Sequence, residues 1–249
     1  MAEPWVQQPV EKPEHIMRLR FTFRSEALIA GVKLALENAQ VTEIFLDGEP
    51  VTGKPDGWFT DRCIRTIPLP GIDPGTHRLE LRFPFGKREA AEWCYLLGDF
   101  SVALDGCEAV LRMPVARVGF GSLTDKGLPF YGDNVIYRME IQTQGGNLKV
   151  HAPQYRGAMI TVLLDGSERG DIIYAPYDCI LENVSAGKHV LELKLYGTRF
   201  NSFGQLHLCN PNFTWYGPDS YRTTGDDWSF EYRPKPFGIL TSPVIEEQL

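Results

Sequence analysis

Carboxylates and histidines are the side chains here that could move protons, and their settings decide whether they do. The acids include Glu37, Asp47, Asp99, Asp133, Asp165, Asp171, Asp178, Asp226 and Asp227. Asp226-Asp227, followed directly by Trp228, is the acidic pair nearest to aromatics. Adjacent residues on a strand point to opposite faces, so such a pair seldom serves as a matched acid and base. Asp47 and Asp165 each sit in a copy of Leu-Asp-Gly, which makes them turn residues. His77 and His189 each sit in a copy of Gly-x-His-x-Leu-Glu-Leu, which makes them strand residues with a structural role; His207 in Leu206-His207-Leu208 reads the same way. A hydrolase triad has no anchor, because no Ser lies in a G-x-S-x-G elbow. Gly119-Phe120-Gly121 is too slight a pattern for a nucleotide loop. With no dense Asp/Asn loop of the EF-hand kind, neither a metal nor another cofactor is expected.

Binding chemistry is better represented. A pyranose presents an apolar side that stacks on flat rings, and hydroxyls that suit amides, carboxylates and guanidinium groups. Both kinds of partner gather toward the C-terminus. Tyr177, Trp215, Tyr216 and Trp228 supply rings, and Arg156, Asn201, Asn210 and Asp178 supply polar groups. The competing reading is that these aromatics fill a core or cover its edge. Trp215-Tyr216-Gly217-Pro218 reads as a loop, so Trp215 is the ring expected to face a ligand.

The elements that would position these groups are strands. Ile44-Phe45-Leu46-Asp47-Gly48 followed by Gly75-x-His77-x-Leu79-Glu80-Leu81 is matched by Thr161 to Gly166 followed by Gly187-x-His189-x-Leu191-Glu192-Leu193. Such self-similarity predicts two β-rich domains in tandem. Residues 25–39 alone fit a helix capped by Ser25, with Leu28, Val32 and Ala35 at helical spacing, or a strand in which Val32, Leu34 and Leu36 alternate. The second copy favours a strand, since His151-Ala152-Pro153 would interrupt a helix. Further strands are expected at Arg78 to Phe83, Val135 to Thr143, Leu148 to His151, Met159 to Leu164 and His189 to Leu195. Tyr95 to Leu104 reads as one strand with a bulge at Gly98. Short strands with regular turn signals describe a sandwich. The predicted fold is all-β, two tandem antiparallel sandwiches, with a tail or linker over 1–17, a first domain over 18–110 and a second over 120–249.

Composition fits this. Among 249 residues there are 24 Gly and 18 Pro, and the net charge is −7. No basic stripe stands out, which argues against nucleic acid and anionic membranes as partners. Five cysteines without a C-x-x-C pair predict neither a disulfide framework nor a zinc site, and most are expected to be reduced and to pack as small apolar residues. With no apolar leader segment and no run long enough to span a bilayer, the expected location is cytoplasmic, unless the chain is cut from a secreted protein.

The order of several short motifs carries a resemblance. Gly127-Leu128-Pro129-Phe130-Tyr131-Gly132 and Asn134-Val135-x-Tyr137 precede the second Leu-Asp-Gly. Ala175-Pro176-Tyr177, Gly-x-His-x-Leu-Glu-Leu, Asn201-x-x-Gly204, Trp215-Tyr216-Gly217-Pro218 and Pro236-x-Gly238-Ile239-Leu240 follow. Residues 120–249 thereby resemble the galactose-binding-like, jelly-roll β-sandwiches of family 2-like glycoside hydrolases. The closest likeness is to the C-terminal region of large bacterial α-L-rhamnosidase-type enzymes. The first half looks like a more distant sandwich from the same neighbourhood. The resemblance implies an accessory module that binds an oligosaccharide or glycoside, or a spacer docked on a catalytic barrel. It does not imply catalysis, because the chain lacks the length and βα alternation of the barrel itself. Candidate ligand contacts are Arg156, Tyr177, Asn201, Trp215, Tyr216 and Trp228. The remaining alternative is a small glycan-active enzyme with a site between the domains; hydrolysis there would need two carboxyl groups roughly 5–10 Å apart.

Overall fold

In a computed structural model the residues described are 12–86, 91–212, 217, 220–221 and 224–248. Trp215 and Tyr216 lie outside them. The chain divides into two units, Met1–Pro114 and Val115–Leu249.

The alternation of apolar and polar residues in the first unit is that of half-buried strands. It holds β1 (His15–Ser25), β2 (Lys33–Leu36), β3 (Glu43–Leu46), β4 (Glu49–Pro50), β5 (Gly57–Phe59), β6 (Asp61–Pro68), β7 (Gly75–Phe85), β8 (Cys94–Leu97), β9 (Ser101–Asp105) and β10 (Glu108–Arg112). One sheet runs β4-β3-β7-β1-β10-β9 and a second runs β5-β6-β2-β8. The pairing is antiparallel except between β1 and β10, which run parallel where Arg24 meets Val110. Ile44, Leu46, Leu79, Leu81 and Val110 of the first sheet are buried, as are Leu34, Leu36 and Ile67 of the second.

The second unit holds β11 (Val135–Thr143), β12 (Gly146–His151), β13 (Tyr155–Arg156), β14 (Ile160–Leu164), β15 (Ser167–Ile172), β16 (Asp178–Val184) and β17 (Gly187–Leu195), then one helical turn, α1 (Phe200–Phe203), and β18 (Gly238–Ile239) and β19 (Val244–Gln248). Its sheets run β11-β17-β14-β15 and β16-β12-β19, with β13 paired to β18. Leu148, Val150 and Leu181 from one sheet and Val162, Leu191, Leu193 and Leu195 from the other share one core. The molecule is all-β, built from antiparallel sandwiches.

Leu-Asp-Gly forms the same hairpin turn in each unit. Asp47 and Gly48 have φ of 54° and 91°, and Asp165 and Gly166 have 51° and 78°. Two consecutive positive φ values match the right-handed twist of a two-residue hairpin, which is why Asp-Gly serves there. Leu46 pairs with Glu49 and Leu164 with Ser167 across the two turns.

Lys33–Leu36 is a strand, as the second copy indicated. Other expectations need correction. Residues 95–104 are two strands in different sheets. The chain leaves β8 at Gly98 and enters β9 at Ser101, so Gly98 marks a crossing between layers and not a bulge. β1 begins inside the expected tail, with His15, Ile16 and Met17 paired to Phe85, Pro84 and Phe83. All five cysteines are free, but Cys63 and Cys107 are exposed and only Cys179 is buried. Asp226 and Asp227 occupy a turn, not a strand.

Candidate functional site

The paired Asp and His residues form two closed clasps. Asp47 Oδ1 accepts the Arg78 N–H at 2.7 Å, and its Oδ2 lies 2.7 Å from His77 Nδ1. His77 Nε2 lies 2.7 Å from the Asp73 carbonyl. In the second unit Asp165 takes the Val190 N–H at 2.8 Å and His189 Nδ1 at 2.6 Å. His189 Nε2 meets the Ser185 carbonyl at 2.9 Å. A carboxylate and a carbonyl are both acceptors, so both ring nitrogens are called on to donate, and the ring is favoured as imidazolium. Burial pulls the His77 pKa down, but the Asp47 carboxylate and the Asp73 carbonyl outweigh it and raise the value above 6.5. Asp165 and the Ser185 carbonyl raise His189 likewise. Each clasp ties a hairpin turn to the neighbouring strand and engages both carboxylate oxygens and both ring nitrogens.

The C-terminal segment builds a cleft. Residues 206–209 and 227–233 run alongside each other without forming a regular ladder. Cys209 N–H donates to Asp227 O at 2.8 Å, Ser229 N–H to His207 O at 2.9 Å, and Arg233 N–H to Leu206 O. Leu208 and Trp228 form the bridge between them. Beneath lies Asn201, 4% exposed, whose Oδ1 accepts the Lys235 N–H at 2.9 Å and whose Nδ2 donates to the Lys235 carbonyl at 2.8 Å. These contacts frame a cleft of about 300 Å³, lined by Phe200, Gln205, Leu208, Cys209, Asn210, Pro211, Arg233 and Lys235. That volume is at the small end of ligand pockets.

Its walls are mixed. Lys235 Nζ stands 4.1 Å from the centre of the Phe200 ring, a cation–π contact that fixes both. Arg233 Nη2 is held by Glu231 at 2.7 Å. Asn210 spends its Oδ1 on the Asn212 N–H, and among the described residues its amide nitrogen donates no hydrogen bond. Gln205 Oε1 is buried and has no hydrogen-bond partner among the described residues. A buried acceptor without a donor carries a desolvation cost that an incoming hydroxyl would relieve.

The sequence-predicted contacts fall in several places. Trp228 packs edge-on against Phe230 at 4.3 Å and lies 6.0 Å from the His207 ring, across the bridge from Leu208. Tyr177, with φ of 63°, lies edge-on to Tyr155 at 5.9 Å. Arg156, next to Tyr155, is exposed and its Nη1 donates to the Tyr155 carbonyl at 3.0 Å. Tyr177 and Arg156 thus share the Tyr155 neighbourhood. Asn201 is buried, and its amide clamps the chain at Lys235. Asp178 pairs with His151 at 2.5 Å. Of the polar partners considered, only Asn210 lines the cleft. Phe200, Gln205, Arg233 and Lys235 were missed. Alternation of Arg233 and Lys235 ahead of Pro236 was their one visible trace, and only the Asn201 clamp shows why they face one way.

No protein-family model and no curated protein matches this chain. Among solved structures it is similar to a rhamnosidase from Novosphingobium sp. PP1Y, at 16% identity and a TM-score of 0.37. The match covers 92% of this chain and 22% of that one, so the chain spans about a fifth of the length of the structure it matches.

Proposed function

We propose that this chain is a non-catalytic carbohydrate-recognition or accessory module of the kind that accompanies glycoside hydrolases, and that it takes a saccharide in the Phe200–Lys235 cleft. The observation that carries this reading is the lining itself. An aromatic ring, a proline and a leucine offer an apolar floor, while Asn210, Arg233 and the unpartnered Gln205 oxygen offer hydrogen bonds to hydroxyls. Donors and a ring suit recognition, whereas hydrolysis would call for two facing carboxyl groups. Trp228 stands at the border of the cleft, opposite Leu208.

Calorimetry against rhamnosides, galactosides and plant-type oligosaccharides tests this. Binding is expected, and Arg233→Ala should weaken it roughly tenfold, the worth of a charge-assisted hydrogen bond. No heat with any of these sugars would count against recognition and favour a docking module on a catalytic barrel. Tyr174 and Phe230, 82% and 73% exposed, are the apolar side chains such docking would cover.

A further inference from the structure

The outer face of β1 and β7 concentrates positive charge within an acidic chain. Arg18, Arg20 and Arg24 alternate along β1, and the antiparallel register sets Arg18 opposite Arg82 and Arg20 opposite Glu80. Leu79 and Leu81 turn into the core, so Glu80 points away from it, yet Glu80 is 5% exposed. Three guanidinium groups cover it. Nε of Arg20 and Nε of Arg82 each lie 2.6 Å from its carboxylate, and Nε of Arg18 lies 3.4 Å away. Arg82 also rests 4.2 Å above the Phe45 ring.

One carboxylate cannot neutralise three cations, so this cluster keeps a surplus of two positive charges. Arg78 adds another on the same strand, and Glu43, opposite Arg82, subtracts one. Arg24 and Arg112 share Glu26 farther along the face. Arg20 and Arg82 spend only Nε on Glu80; among the described residues their terminal amino groups donate no hydrogen bond. Among the described residues these guanidinium groups are therefore anchored on Glu80 through Nε, with their terminal amino groups unspent.

We propose that this face is a second binding surface, and that it takes an acidic polysaccharide whose carboxylates dock on Arg18, Arg20 and Arg82. A guanidinium edge matches a carboxylate with two parallel N–H donors. Glu80 and Phe45 fix the side chains in advance, which lowers the entropy lost on binding. Arg18 and Arg20 stand about 7 Å apart along an extended strand, a row suited to a polymer with regularly spaced charges. The net charge of −7 opposes long-range attraction of any polyanion, so binding at this face rests on the short-range guanidinium clamp. The choice of a saccharide over an acidic peptide rests on the reading of the chain as a carbohydrate module.

The test is binding of the full chain to polygalacturonate, to its fully methyl-esterified form, and to poly-glutamate. The acid polymer is expected to bind, the ester to bind far less, and added salt to weaken the complex. Arg18→Gln should lower affinity for the acid polymer roughly tenfold, and Arg20→Lys, which keeps the charge but loses the planar fork, should also weaken it. Neither should alter binding of a neutral oligosaccharide at the cleft. Arg18 is half exposed and its contact with Glu80 is the longest of the three, so Arg18→Gln gives the answer even where Arg20→Lys disturbs folding. The proposal is overturned by no binding of polygalacturonate at low salt, by unchanged affinity in Arg18→Gln, or by poly-glutamate binding as tightly. Loss of neutral-sugar binding alone would remove the cleft reading and leave this one standing.

Discussion

Glu80 and Glu192 hold the same place in the two copies of Gly-x-His-x-Leu-Glu-Leu, and their surroundings differ. Both lie opposite an arginine on the neighbouring strand, Arg20 for Glu80 and Arg138 for Glu192. Glu80 is covered by three guanidinium groups, whereas Glu192 has Arg138 Nε at 3.7 Å. The registers give the reason: the positions of Arg18 and Arg82 are taken by Ile136 and Lys194 in the second unit. The Asp–His clasps, by contrast, have the same wiring in both units. What is the same in the two units is framework, and the arginine lid is an addition that the fold does not require.

The largest expected effect tests the shared part. Leu81 and Leu193 close the two motifs and are both buried, 3% and 0% exposed. Leu81→Ala and Leu193→Ala should each cost about 2–5 kcal/mol through lost burial and the cavity left behind. Hydrogen exchange of the β7 and β17 amides would read the two separately. A cost under about 1 kcal/mol at one position only would break the equivalence.

Next comes the part that differs. Glu80→Gln leaves three guanidinium groups without their anion, whereas Glu192→Gln disturbs one long contact, so urea denaturation should show a much larger loss in the first variant. The acid limb sharpens this. Hydrogen bonds from Arg20 and Arg82 hold the Glu80 carboxyl down to about 2, against 4.5 when unperturbed. A depressed pKa means a contribution fully present above 4.5 and lost as pH falls toward about 2. That acid-sensitive step in the first unit should vanish in Glu80→Gln and persist in Glu192→Gln. Equal acid profiles in the two variants would remove the special status of the lid.

Legibility in the sequence follows whether the determinant is local. The alternation over Val135–Thr143 and the Asp-Gly pair at each turn act within a few residues, and the strands and hairpins they imply are the ones formed. Residues 95–104 misled because both halves are apolar: a strand crossing from one sheet to the other keeps its hydrophobic content while its partners change. The Asn201 clamp is not legible locally, because an amide suits a ligand hydroxyl and a backbone peptide equally, and its peptide partner at Lys235 lies 34 residues on. The arginine face did not stand out as a basic stripe, because Arg18, Arg20 and Arg24 supply only half of it. Its other half, Glu80 and Arg82, joins it through a register that spans 60 residues from Arg20 to Glu80.

The smallest expected effect returns to the clasps, where the two units should agree. Both His pKa values are raised above 6.5, so the clasp contributes most below that value and is lost as pH rises through the higher folded value. Asp47 and Asp165 are lowered below 3.8; burial opposes the shift for Asp47, and the Arg78 N–H and His77 overcome it, while His189 and the Val190 N–H act on Asp165. Their part is present above 3.8 and lost only in stronger acid. Stability from the clasps is therefore greatest between those limits and declines on the alkaline side. His77→Ala should remove the decline in the first unit and His189→Ala the decline in the second, each slight because Asp47 and Asp165 are about half exposed and solvent screens the pairs. Thermal midpoints taken on either side of neutrality check this. A decline that survives in the double variant would assign it to other groups, and a decline removed by one substitution alone would show that the clasps, alike in geometry, are unequal in energy.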